Sequence, residues 1–122
     1  MKITDWKEND QPLVTESGEI IYELIGSVQN DGTKPNHSLA RIIIPPGKSS
    51  TSHYHKVSEE TYYFLEGEGQ MRVNEKDFTL IPGQTCYLSA GDIHQIENRG
   101  DMDLEFLAVC TPAWVPEDSF DV

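Results

Sequence analysis

Histidine is scarce in this chain, four residues in 122. Two of the four stand one residue apart in the stretch GKSSTSHYHKVSEETYYFLEG, residues 47–67. They are His53 and His55, and two adjacent acids, Glu59 and Glu60, follow a few positions later. On an extended strand residues i and i+2 point to the same face, so the two imidazoles project together and Tyr54 projects the other way. Such a pair either shares an ion or faces solvent as ordinary polar side chains. A carboxylate from Glu59 or Glu60, folded back by the short KVSE turn, completes the two-histidine, one-carboxylate set of open metal sites. His94 lies far along the chain in GDIHQIEN, again just after a glycine turn. His37 precedes a strand in a loop and reads as a surface residue.

The elements that must position these groups are strands. No long segment keeps apolar residues at helical spacing. Short β-branched and aromatic runs recur instead: IIYELIG, SLARIII, SSTSHYH, TYYFLEG, GQMRV, FTLI, TCYL, IHQIEN and LEFLAVC. Between them fall the turn formers PPG, GEG, NEKD, IPGQ, SAGD and NRGD. Many short strands at close spacing predict an all-β sandwich or barrel. The strands occupy residues 19–110. Residues 1–18 are polar and read as a loose arm or a strand swapped with a partner. Residues 111–122 are proline-punctuated and acidic, and read as an extended tail over the surface.

A chain of 122 residues fits one domain with one core. Its net charge of −12 repels phosphate backbones and anionic lipid, which argues against nucleic-acid and membrane-surface roles. Cys86 and Cys110 both sit in apolar strand-like runs and match neither a disulfide framework nor a zinc ribbon. Buried free thiols in a reducing cytosol are expected. The first residues, MKITDWKENDQP, have no apolar signal core, and IIIPP is too short to span a bilayer. The expectation is a cytoplasmic protein.

At this point the sequence resembles the cupin superfamily. Gly47, His53, His55, Glu60 and Gly67 fall on its first motif, G-x5-H-x-H-x4-E-x6-G, and Gly83, Gly91, His94 and Asn98 fall on its second, G-x5-P-x-G-x2-H-x3-N. The one departure is Ser89 in place of the usual proline, which predicts a less rigid turn and leaves the ligand set intact. The resemblance implies a jelly-roll barrel, the double-stranded β-helix of two antiparallel sheets. It also picks Glu60 over Glu59 as the carboxylate. By the same resemblance, His53, His55, Glu60 and His94 hold one divalent transition metal, drawn from manganese, iron, zinc, nickel or cobalt. Within that superfamily the chain resembles the single-domain cupins that are similar to the metal-binding part of mannose-6-phosphate isomerase.

Glycines 47, 67, 83 and 91 then read as turn or close-approach positions, and Asn98 as a turn-stabilising side chain. Tyr62 and Phe64, at even spacing from Glu60, should share the interior face and reach a ligand. Arg41 is a candidate to hold an anionic group if it turns inward, whereas Arg72 should point outward because Met71 and Val73 supply the core face. Only one of Cys86 and Tyr87 can face in. Trp114 caps a pocket or packs at an interface, with packing favoured. The outward Tyr63 and Leu65, with the unplaced arm, predict a homodimer. No catalytic residue is assigned. The expected function is a metal-dependent enzyme of isomerase, epimerase or lyase type acting on a small polar metabolite such as a sugar, sugar phosphate or keto acid. The alternatives are a dioxygenase using iron, nickel or copper, and a non-catalytic module that holds a small ligand on the metal.

Overall fold

A computed structural model describes residues 1–29 and 31–122. Eleven strands and two short 3-10 turns occur among them. In chain order these are η1 (Trp6–Glu8), β1 (Leu13–Val14), β2 (Ile20–Ile25), β3 (Ser38–Ile44), β4 (His53–His55), β5 (Glu59–Glu66) and β6 (Gly69–Val73). There follow β7 (Lys76–Leu80), β8 (Thr85–Leu88), β9 (His94–Glu97), β10 (Leu104–Thr111), η2 (Pro116–Asp118) and β11 (Ser119–Asp121). All strand pairs are antiparallel and form two sheets, ordered β1-β2-β3-β10-β5-β8 and β11-β4-β9-β6-β7. This is the expected all-β jelly roll. No helix among the described residues is long and apolar enough to cross a membrane.

Alternation along each strand builds the core between the sheets. In β3, Ala40, Ile42 and Ile44 are buried, while Leu39, Arg41 and Ile43 point away. In β5, Glu60, Tyr62 and Phe64 are buried and Tyr63 is outside. The register of β10 sets Phe106 opposite Ile42 on one side and Phe64 on the other. Phe64 and Tyr62 lie with ring centroids 5.3 and 4.7 Å from that of Phe106. Aromatic contacts of this kind add to the area they bury. The second sheet contributes Met71 and Ile96, and Val73 packs against the same cluster. Arg72 points outward to Asp77, Cys86 packs on the core, and Tyr87 is exposed.

Three local features depart from the period-two reading. The strand expected from Ser49 is regular only from His53, because Ser50 Oγ itself accepts the Ile96 N–H at 3.0 Å. A side chain that takes a ladder hydrogen bond interrupts regular pairing. β1 and β11, at two and three residues, are too short for alternation to show. β1 pairs with β2 of the same chain, Leu13 opposite Ile21. β11 pairs with β4, where Phe120 stacks on Tyr54 at 5.3 Å, so residues 119–121 extend the second sheet.

Arg41, a candidate anion holder on sequence grounds, lies on the outer face of β3. Its Nη2 donates to Glu105 at 3.1 Å, and its guanidinium sits 4.7 Å from the Trp6 ring centroid. Strand alternation therefore commits Arg41 to fastening the N-terminal segment, where Trp6 also meets Tyr22 edge-on at 5.3 Å.

Gly67, at the end of β5, has φ +78°, and a Cβ there would stand 2.5 Å from the Asp103 carbonyl oxygen and 2.9 Å from Leu104 Cα. Gly83 has φ +90°, but a Cβ there meets nothing within 4 Å. Gly67→Ala should therefore cost about 2–5 kcal/mol, combining backbone strain with overpacking, and Gly83→Ala only about 1–2 kcal/mol from strain alone. Urea unfolding of the two variants measures the gap, and equal losses would contradict the close approach at Gly67.

Candidate metal centre

The centre lies between the sheets. Register places His53 on β4 directly opposite His94 on β9, with ring centroids 4.3 Å apart, and His55 follows on the same face of β4. Glu60 reaches them from β5 in the other sheet, where it is paired with Cys110 of β10. Each of His53, His55, Glu60 and His94 offers one ligand atom, and these atoms lie within 4.8 Å of one another. Glu60 Oε1 is 3.5 Å from His55 Nε2 and 3.3 Å from His94 Nε2.

Backbone carbonyls set the ring orientations. Nδ1 of His53 lies 2.9 Å from Thr51 O, that of His94 2.9 Å from Asp92 O, and that of His55 3.1 Å from Asp118 O. A carbonyl only accepts, so each Nδ1 is the protonated nitrogen and each Nε2 turns a lone pair toward the centre. Nε2 of His55, Nε2 of His94 and Oε1 of Glu60 are buried with no hydrogen-bond partner among the described residues. Three acceptors facing one another without a proton or cation repel. A divalent ion at their focus removes that conflict, and imidazole with carboxylate is a donor set for first-row metals. The residues present fit such an ion.

The remaining Glu60 oxygen is held by the Cys110 thiol, with Sγ to Oε2 at 3.0 Å. Burial and the Glu60 charge push this thiol's pKa up, so it stays protonated and donates. Burial alone would raise the Glu60 pKa, but His55 and His94 beside it pull it well below the usual carboxylate range. Burial disfavours a charged ring at His55, yet Glu60 and the Asp118 contacts outweigh it and raise its pKa. Burial and the neighbouring His94 lower that of His53.

The segments that deliver the ligands are tied down. Ser89 N–H donates to the Asp92 carboxylate at 2.8 Å, and Asp92 N–H donates back to Ser89 O at 3.1 Å. Proline has no N–H for the first of these bonds, so the departure at Ser89 swaps a fixed φ for a side-chain clamp. Asn98 Nδ2 donates to Ile44 O and Met102 O at 2.8 and 2.7 Å, while its Oδ1 accepts from Gly100 N–H. Gly47 N–H donates to Asn98 O, and Gly91 N–H to His55 O at 2.7 Å. Gly47 and Gly91 both take positive φ in these turns.

The four residues face a cavity of about 920 Å³. Tyr62 lines it, whereas Phe64 is buried in the core behind it and Arg41 is on the far face of its sheet. Trp114 lines the cavity as well, its backbone N–H donating to Ser38 Oγ at 3.0 Å. Glu59 is outside and accepts from Tyr87 OH at 2.8 Å, and His37 is exposed. Sequence reasoning missed Glu19. It precedes β2, is 6% exposed, and lines the same cavity. Burial, then the Glu60 charge, pushes its pKa up to about 8. The inward alternation Glu19, Ile21, Glu23 was the available signal.

Asp118 was also missed, because it lies in the proline-flanked tail. Its carboxylate accepts the N–H groups of Lys56, Val57 and Ser58 at 3.0, 2.9 and 2.9 Å, while its carbonyl orients His55. One residue thus caps the turn after the histidine pair and sets the tautomer of its second member.

Comparison with known proteins agrees with this geometry. The Cupin_2 family, cupin domain, matches residues 40–110, and the chain belongs to the cupins. The uncharacterized protein MJ1618 of Methanocaldococcus jannaschii is 38% identical over 109 residues, covering 89% of this chain and 86% of that one. The oxalate-binding protein of Thermotoga maritima is 47% identical over 70 residues, 57% of this chain and 58% of its own length. The crystal structure of a predicted oxalate decarboxylase from Thermotoga maritima superposes with a TM-score of 0.75 at 33% identity. That match covers 91% of this chain and 99% of the other.

Asp118→Ala removes a charged acceptor from three N–H groups and should destabilise the protein by about 2–4 kcal/mol at neutral pH. Burial would raise the Asp118 pKa, but these hydrogen bonds lower it. Its stabilisation is therefore present above the unfolded carboxylate value near 4 and is lost as pH falls through the depressed folded value. Denaturant unfolding should show the gap between wild type and variant closing in acid. A gap independent of pH would refute the role of the carboxylate.

Proposed function

We propose that His53, His55, Glu60 and His94 bind one divalent first-row ion and that the protein is a metal-dependent enzyme acting on a small oxygen-bearing metabolite. The reaction class is isomerase, epimerase or lyase. The observation that carries the metal is the set of buried, unpartnered Nε2 and Oε1 atoms aimed at one point. Four protein ligands leave room for substrate on the side of the 920 Å³ cavity. When bound, such an ion polarises a carbonyl or hydroxyl oxygen.

The chain's own residues supply the rest. The cavity walls position the metabolite and limit water. Glu19, with a pKa of about 8, is poised near neutrality to give or accept a proton. A buried titratable carboxyl in the same cavity as the ligand set favours catalysis over simple binding.

A second reading is metal-dependent capture of a small dicarboxylate without turnover. The oxalate-binding protein of Thermotoga maritima, 47% identical over the matched 70 residues, favours it. Calorimetry with oxalate on metal-loaded protein separates the two: saturable binding with no consumption of oxalate supports capture.

Elemental analysis of protein purified without added ions should find about one first-row metal per chain. His94→Ala should lower metal affinity at least about tenfold, by loss of one ligand, while leaving far-UV circular dichroism unchanged. Unchanged metal content in that variant would remove His94 from the set. Because the ligands are neutral imidazoles, protons compete with the ion, and affinity should fall as pH drops through about 6.5. Metal retention that does not change with pH would contradict imidazole ligation.

A further inference from the structure

The cavity that faces the metal set has a one-sided charge pattern. Its lining contains seven acidic residues, of which Glu19, its pKa raised by burial, is mostly protonated near neutral pH, and no lysine or arginine. Besides Glu60, Glu19 and Glu23 lie within, and the exposed Asp5, Glu8, Glu16 and Asp121 stand at the opening. Most of the surface the rest of the wall exposes is apolar, from aliphatic side chains such as Ile21, Leu24, Ala40, Ile42 and Ala108 and the Trp114 ring, with uncharged polar residues such as Thr15, Gln29, Ser38 and Thr51 among them. Arg41 is turned to the opposite face of its sheet and paired with Glu105, and Lys2, which donates to the lining residue Gln29 at 2.6 Å, is paired with Asp31.

Proteins hold a phosphate or remote carboxylate with a guanidinium, an ammonium or a helix N-terminus. None of these lines this cavity among the described residues, and both 3-10 turns are three residues long. A ligand with an anionic group away from the metal would have to bury that charge unpaired, among carboxylates. Burial of an unpaired charge is strongly disfavoured, and a cleft lined by one sign of charge repels the same sign before contact. The ion can neutralise only a group that binds it directly.

We propose that the cavity selects a ligand whose body, beyond the group that meets the metal, is largely apolar and uncharged or cationic, and that it rejects metabolites bearing a remote phosphate or carboxylate. This rests on the metal site proposed above and narrows its substrate class. Among sugars, sugar phosphates and keto acids, it sets sugar phosphates aside. A dicarboxylate as small as oxalate is not affected, since both its charged groups reach the ion.

The test uses cobalt(II)-loaded protein and a series of hydroxamates with one chelating head, followed by the visible absorption of the cobalt. The probes are acetohydroxamate, octanohydroxamate, glycine hydroxamate with its ammonium group, and phosphoglycolohydroxamate. Octanohydroxamate should bind tighter than acetohydroxamate, and glycine hydroxamate about as well as acetohydroxamate or better. Phosphoglycolohydroxamate should bind at least about tenfold more weakly than acetohydroxamate at low ionic strength, with the gap narrowing as salt screens the carboxylates. Glu16→Lys, at the exposed opening, should narrow that gap. Equal or tighter binding of the phosphorylated probe, or no gain from the octyl chain, overturns the inference while leaving the metal site standing. Protein that takes up no cobalt overturns the metal reading and this inference with it.

Discussion

The centre is organised around a repulsion. Lone pairs of buried imidazoles are turned toward a carboxylate oxygen a little over 3 Å away, and no donor lies between them. Such an arrangement survives only because each ring is fixed from behind. Thr51, Asp92 and Asp118 each present a backbone carbonyl to Nδ1, and Cys110 holds the far oxygen of Glu60. These supports come from loops and strands of both sheets. Packing of the whole barrel is therefore what holds the acceptors together, and a cation is what makes their proximity favourable.

The two sheets divide the work. The second sheet brings the three histidines together through the β4–β9 pairing, and the first supplies Glu60 and most of the aliphatic wall. The aromatic cluster of Tyr62, Phe64 and Phe106 lies on the same inward face as Glu60 and stiffens the strands that carry it. Glu19 is the other buried acid facing this cavity, and burial with the Glu60 charge raises its pKa.

Much of the barrel was legible in the chain because a strand with one buried face writes its period into the residue types. SLARIII, TYYFLEG and LEFLAVC alternate clearly, and each is a strand of the first sheet. The proximity of His53, His55, Glu60 and His94 was legible for a different reason. The paired motifs resemble those of the cupins, and it was this resemblance that implied one shared site. What escaped was set by pairing between distant segments. Arg41 sits in an alternating strand, but which face is inward depends on its neighbours, and Glu105 and Trp6 claimed it. Asp118 and β11 escaped because three residues carry no period, and their partners lie some sixty positions earlier. Cys110 was read as a buried thiol, and nothing local in the chain pointed to the carboxylate it meets across the strand pair.

The contact from His55 to the Asp118 carbonyl spans 63 residues. During synthesis, all four metal-facing side chains are made well before the segment that orients one of them. A nascent chain therefore holds His55 with its ring unsupported and the turn at Lys56–Ser58 uncapped until η2 and β11 emerge and dock. The order of translation postpones completion of the centre until these last segments have docked.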